Sequence, residues 1–107
     1  MTYLTQSEIN EKKMIELGFE ITIYFKDNLN IVEFDNIVDD FIRDGIEKNG
    51  LLFGGGGYLD SYNGFITKAD TRKQLSDFEV ENVKRWIESR RDMIKHYEIG
   101  ELQDANK

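Results

Sequence analysis

From Phe19 to Phe25 the chain alternates strictly, with Phe19, Ile21, Ile23 and Phe25 on one side and Glu20, Thr22 and Tyr24 on the other. A period of two is that of an extended strand with one buried face. The period then lengthens. Phe34, Ile37, Val38, Phe41, Ile42 and Ile46 recur at the spacing of a helix's apolar stripe, and Glu33, Asp35, Asp39, Asp40, Asp44 and Glu47 fill the rest. Asn30 and Glu33 have capping-box spacing at its start, and Asn49-Gly50 supplies its stop. Ser76-Asp-Phe-Glu79 is a second capping box, opening a helix to about Arg91 with Val80, Val83, Trp86 and Ile87 inward. Residues 93–102 read as a last strand with Met93, Tyr97 and Ile99 on one side. At the ends, 8–17 reads as a short helix capped by Ser7 and stopped by Gly18, and 103–107 as a frayed tail.

Between the two long helices, residues 51–68 read as two strands joined at Asn63-Gly64, because both residues tolerate the positive φ of a tight turn. Four of the nine glycines, Gly54, Gly55, Gly56 and Gly57, sit inside the first of these strands. Glycine weakens a strand, so a bulge, a close backbone approach or a partner must compensate. After the short helix the order is β-α-β-β-α-β. That order predicts an α+β fold, the split (ferredoxin-like) two-layer sandwich, with both helices on one face of an antiparallel sheet. The first and third strands are then central and the glycine strand lies on an edge. One domain over 1–107, with its core at about 18–102, is what this length supports.

Charge changes the picture more than composition does. The formal net charge is −7, which speaks against wholesale wrapping of nucleic acid and against DNA as a partner. Residues 1–63 carry 5 basic and 12 acidic side chains, whereas 64–107 carry 9 of each, so one side of the molecule is acidic and the other weakly basic. There is no cysteine and hence no thiolate chemistry or disulfide scaffold. No apolar run approaches the ~18 residues of a membrane span, and the first residues lack the basic and apolar regions of a secretion signal. A cytoplasmic protein is expected.

Candidate chemistry is sparse. The glycine run precedes a hairpin rather than a helix with a Lys-Ser/Thr pair, so a phosphate-cradling loop is disfavoured. It is either a twisted or bulged edge strand or a backbone surface open to RNA or a partner strand, with Tyr58 or Tyr62 as a stacking aromatic. Asp35 with Asp39, and Asp40 with Asp44, share helix faces but lack the apolar surroundings or further ligands of a catalytic or metal site. They form a solvated acidic face or one that meets a basic partner. His96 is the only histidine and has no companions for a triad or a zinc site, while Trp86 falls on the inward stripe. No cofactor is implied. Phosphate contact falls to Lys84, Arg85, Arg90, Arg91 and Lys95, with Lys68, Arg72 and Lys73 upstream and Lys12 and Lys13 as helpers; the competing reading is a merely solvated helix face.

With these residues located, the chain resembles the YggL-like family of small bacterial proteins that bind the large ribosomal subunit. The matching stretches are Glu16-Leu-Gly-Phe19, Val38-Asp-Asp-Phe-Ile42, Gly57-Tyr-Leu59 through Gly64, Val83-Lys-Arg-Trp-Ile87, and Glu101-Leu102 with Asp104. They span about residues 12–104, and their order and spacing carry the resemblance. Where family members often begin with an arginine- and lysine-rich arm, only Lys12 and Lys13 stand before the first strand. Where the family tends to carry tryptophan after the Asp, Ala105 and Asn106 stand. The resemblance implies a non-catalytic accessory or assembly factor that contacts rRNA, a ribosomal protein or both. Two other readings stay open: a protein–protein adaptor using the glycine edge strand and acidic helix without RNA, and a small-ligand-binding module or enzyme. Oligomeric state is open, because an exposed edge pairs with its own copy as readily as with a partner.

Overall fold

Strand β1 (Leu17–Phe25) is the element on which the others assemble. It pairs with β3 (Ser61–Lys68) on one side and β4 (Ile94–Ile99) on the other, and near its start with the two-residue β5 (Gln103–Asp104). The edge strand β2 (Leu51–Tyr58) pairs with β3, giving the order β2-β3-β1-β4 with every pairing antiparallel. The computed structural model describes residues 16–70 and 73–104. There the chain is an α+β fold of two helices, α1 (Ile31–Asp40) and α2 (Asp77–Glu88), and a five-stranded sheet. As expected, β1 and β3 are central and the glycine strand is at an edge.

The alternation in β1 sets the core. Phe19, Ile21, Ile23 and Phe25 are each no more than 3% exposed and join Phe34, Ile37 and Phe41 from the first helix with Val83 and Ile87 from the second. Burying a side chain of this size contributes about 1.5–3 kcal/mol, so the common core rather than helix propensity holds the two helices in place. Both caps form. The Asn30 side chain accepts from the Glu33 N–H at 2.8 Å while Glu33 accepts from the Asn30 N–H at 3.1 Å, and Glu79 accepts from the Ser76 N–H at 2.8 Å.

The first helix does not stop at Asp40. It widens into a π-helical turn over Phe41–Ile46, where the Glu47 N–H reaches the Ile42 carbonyl, and tightens into a 3₁₀ turn (Glu47–Asn49) before Gly50 at φ 71°. The wider turn keeps Phe41 and Ile46, five residues apart, both buried. Gly45 lets this turn approach α2: a Cβ there would stand 3.2 Å from the Phe41 ring and 3.4 Å from Trp86.

Four expectations are corrected. The hairpin turns at Leu59-Asp60, not at Asn63-Gly64, and Leu59 takes the positive φ of 50°. A turn at 63–64 would carry Phe53 past the end of β3, away from Ile66, its actual partner in the core. Gly18 is not a helix stop but a buried β1 residue, its Cβ position filled by the Phe65 ring at 2.3 Å; Leu17 is likewise in the strand, and the rest of the helix expected over 8–17, Glu16 apart, lies outside the described residues. Gln103 and Asp104, expected in the tail, pair with Gly18 and Leu17. In β4, a bulge opposite Tyr24 and Phe25 puts Ile94 in the core, a residue the simple alternation had left out.

Candidate functional site

The four glycines of β2 divide into two kinds. Gly55 and Gly57 lie opposite Gly64 and Tyr62, and a Cβ at either would stand 2.2 Å from the Asn63 carbonyl oxygen or 2.0 Å from that of Ser61. Only glycine allows β2 and β3 to coil this closely. Gly54 and Gly56, on the other face, have nothing within 4 Å of an added Cβ. Beside them a shallow cleft of about 260 Å³ opens against Glu20, Thr22, Asn63 and Phe65. The run is therefore part close approach and part open backbone surface.

Helix α1 lies alongside this strand. Its Phe34 ring meets Tyr58 edge-on at 5.8 Å and its Phe41 ring meets Phe53 at 5.6 Å, while Tyr62 stacks on Phe53 at 5.3 Å. Burial, and then the nearby Asp39 carboxylate, raise the pKa of the Tyr62 hydroxyl. Tyr58 itself is 63% exposed.

The basic residues that the sequence groups together do different work. Arg90 reaches across 50 residues to Asp40 at 2.9 Å, also pairs with Asp92 at 3.2 Å, and lies 6.0 Å from the centre of the Trp86 ring, tying the end of α2 to the end of α1. Arg91 pairs with Glu88 at 3.3 Å, donates to the Lys95 carbonyl at 3.2 Å and covers Tyr97. Lys95 pairs with Asp27 at 3.1 Å. Lys68 is largely buried against Glu79. Of these candidates, Lys73, Lys84 and Arg85 are exposed and without an ion pair to another described residue, the last holding only Asn82 at 3.3 Å. Lys12, Lys13 and Arg72 lie outside the described residues.

Lys84 and Arg91 border a groove of about 540 Å³ between α2 and the β4 edge, with Val80, Glu88, Tyr97 and Ile99. Sequence reasoning did not find this groove. Its only trace was the alternation of Tyr97 and Ile99, which pair with Ile23 and Ile21 as that alternation implies; that α2 lies beside them is not a local property of the chain. The Glu88 carboxylate accepts from the Tyr97 hydroxyl and raises its pKa. His96 is exposed, stacked on Tyr24 at 5.6 Å with Nε2 3.6 Å from Glu98. Among the described residues no group of His, Cys, Asp and Glu could hold a metal ion, and no helix is long and apolar enough to cross a membrane.

The Lys68–Glu79 pair has a measurable consequence. Burial pushes the Glu79 carboxyl up, but hydrogen bonds from Lys68 and Ser76 outweigh it and bring the pKa down to about 2 from an ordinary 4.5. A carboxylate with a depressed folded-state pKa adds stability that is fully present above about 4.5 and lost as pH falls towards 2. Glu79→Gln is expected to flatten the decline in unfolding free energy across that window in urea titrations; an unaltered decline would assign it to other carboxylates.

The described residues thus present an edge strand with bare backbone at Gly54 and Gly56, and a short row of cations without ion pairs to other described residues. The chain belongs to the YggL 50S ribosome-binding protein family, whose model matches residues 9–107. Membership gives it the large ribosomal subunit as its binding partner. An uncharacterized protein of Haemophilus influenzae (strain ATCC 51907 / DSM 11121 / KW20 / Rd) is 34% identical over 89 residues, 83% of this chain and 75% of that protein. No solved structure matches the chain significantly.

Proposed function

We propose that this protein is a non-catalytic accessory or assembly factor of the large ribosomal subunit. It acts in the cytoplasm as one α+β domain, the split β-α-β-β-α-β (ferredoxin-like) two-layer sandwich. The family match over residues 9–107 is the observation that carries the reading. The strand order and the shared core of the two helices support the architecture. Contact with rRNA falls to Lys84 and Arg85 on the outer face of α2, with Lys73 ahead of it, because these candidate cations are not spent on ion pairs with other described residues. Arg90, by contrast, serves the fold.

So few phosphate contacts give moderate affinity and a shallow salt dependence. Tagged protein sedimented from a bacterial lysate is expected to travel with large subunits at low salt and partly release as salt rises. Lys84→Glu/Arg85→Glu should weaken purified-subunit binding and reduce the slope of log affinity against log salt by about 2. An unchanged slope would remove this surface from the reading, and absence of cosedimentation at every ionic strength would remove the reading itself.

A further inference from the structure

Sheet edges in natural proteins carry devices against pairing, among them lysine, proline, a bulge or a covering element. Strand β2 carries neither of the first two: Leu-Leu-Phe-Gly-Gly-Gly-Gly-Tyr has no charge and no proline over eight residues. Among the described residues it pairs with β3 alone, in unbroken register from Leu51↔Lys68 to Tyr58↔Ser61. Its open face is bare at Gly54 and Gly56 and flanked by Leu52 and Tyr58, 53% and 63% exposed. A strand laid along this edge would meet backbone left bare at Gly54 and Gly56, between two apolar anchors, Leu52 and Tyr58.

The helix beside it says which strand. On α1 the residues Phe34, Ile37 and Phe41 point into the core, and Asp40 leaves on the flank that meets Arg90 beyond α2. At about 100° per residue Asp35 is turned about 140° from Asp40, onto the side away from α2, and Asp39 lies between the two on the outer face of the helix, close enough to Tyr62 of β3 to act on its hydroxyl. Both are exposed and neither forms an ion pair with another described residue. Their four-residue spacing is about 6 Å along the helix, close to the roughly 6.8 Å between same-face side chains of a strand. Cations at alternate positions of a docked strand would therefore fall opposite both carboxylates.

We propose that β2 is the acceptor edge for an extended, Lys/Arg-bearing segment of a large-subunit ribosomal protein, added to the sheet as a further strand with alternate cations facing Asp35 and Asp39. The naming of a ribosomal protein rests on the ribosome-binding reading above; the acceptor edge does not. An RNA strand is the wrong occupant, since its phosphates would face these carboxylates. A second copy is also disfavoured, because pairing β2 with β2 brings together two acidic helices of chains carrying −7 each.

The test uses the full chain and a capped synthetic peptide of alternating valine and lysine, followed by amide NMR. Shifts and slowed hydrogen exchange are expected along Leu51–Tyr58, weakening with salt. Gly54→Lys/Gly56→Lys places charge where space is open and should fold, yet bind the peptide about tenfold or more weakly. Asp35→Asn/Asp39→Asn should remove most of the salt dependence. Shifts confined to α2 or β4, wild-type peptide affinity in the lysine variant, or concentration-dependent β2 shifts without peptide (self-pairing) would each overturn the proposal. Subunit sedimentation separates the two readings. If the lysine variant loses the peptide and also associates less with large subunits, the ribosomal source stands. If it loses the peptide but sediments like the wild type, that source is wrong while the ribosome-binding reading survives.

Discussion

Replacing Gly55 with alanine is expected to lower stability by about 3 kcal/mol, the upper end of what overpacking a tight site does. The added methyl would stand 2.2 Å from the Asn63 carbonyl oxygen and 2.5 Å from the Gly64 Cα. Both obstacles are backbone, so no rotamer change relieves them, and β2 must move away from β3. That separation strains the ladder from Leu51 to Tyr58 and draws Phe53 off Tyr62 and Phe41. Gly54→Ala, one residue away, is the control. Its Cβ meets nothing within 4 Å, and loss of glycine's freedom in the unfolded chain should stabilise by about 0.4–1 kcal/mol. Urea denaturation of the two variants gives opposite signs if β2 and β3 coil as described. Equal effects would mean that the glycines are interchangeable and the close approach is absent.

Phe41→Ala is expected to be as damaging or more so, at about 3–5 kcal/mol. The ring is 2% exposed and touches Phe53 of the edge strand and Trp86 of α2, each at 5.6 Å between centroids. It also starts the π-helical turn that brings Gly45 under Trp86. One side chain thus connects both helices to the sheet edge, and its removal leaves a cavity between Phe53 and Trp86 that the neighbouring glycines of β2 have no side chains to fill. The emission of Trp86, the only tryptophan, should shift to the red in the folded variant as water reaches the ring. A loss below about 1 kcal/mol with unchanged emission would show that the site repacks, and that the turn rather than the ring holds the two helices together.

What could be read along the chain was whatever repeats locally. The alternation over 19–25, the stripe from Phe34 to Ile46 and the capping residues Asn30, Glu33, Ser76 and Glu79 each carry their signal within one element, and each is found where the pattern puts it. The failures share a cause too. Asn63-Gly64 looks like a turn because both residues permit one, but Gly64 is glycine for lack of room: the Gly54 carbonyl oxygen lies 2.4 Å and the Phe53 ring 2.5 Å from its Cβ position. Gly18 looks like a helix stop, yet Phe65, nearly fifty residues on, occupies the place of its side chain. For glycine, permission and necessity read alike in a sequence, and only neighbours from other strands separate them.

The candidate surface divides in the same way. Net charge and the basic stretch over 84–95 are linear properties, but which cations are left over after ion pairing is not. Lys68 and Glu79 are eleven residues apart, Arg90 and Asp40 fifty, and Lys95 and Asp27 sixty-eight. By itself the sequence determined the strand over 19–25, the two capped helices, the β-α-β-β-α-β order up to β4, the family signature and the lack of cysteine, because each depends on residue type and short-range spacing. Tertiary structure alone decided the strand register, which glycines are obligatory, which candidate cations pair with other described residues, and that the acidic first helix packs beside the glycine strand. Those depend on distances between residues far apart in the chain, set when β1 and both helices bury their apolar faces in one core.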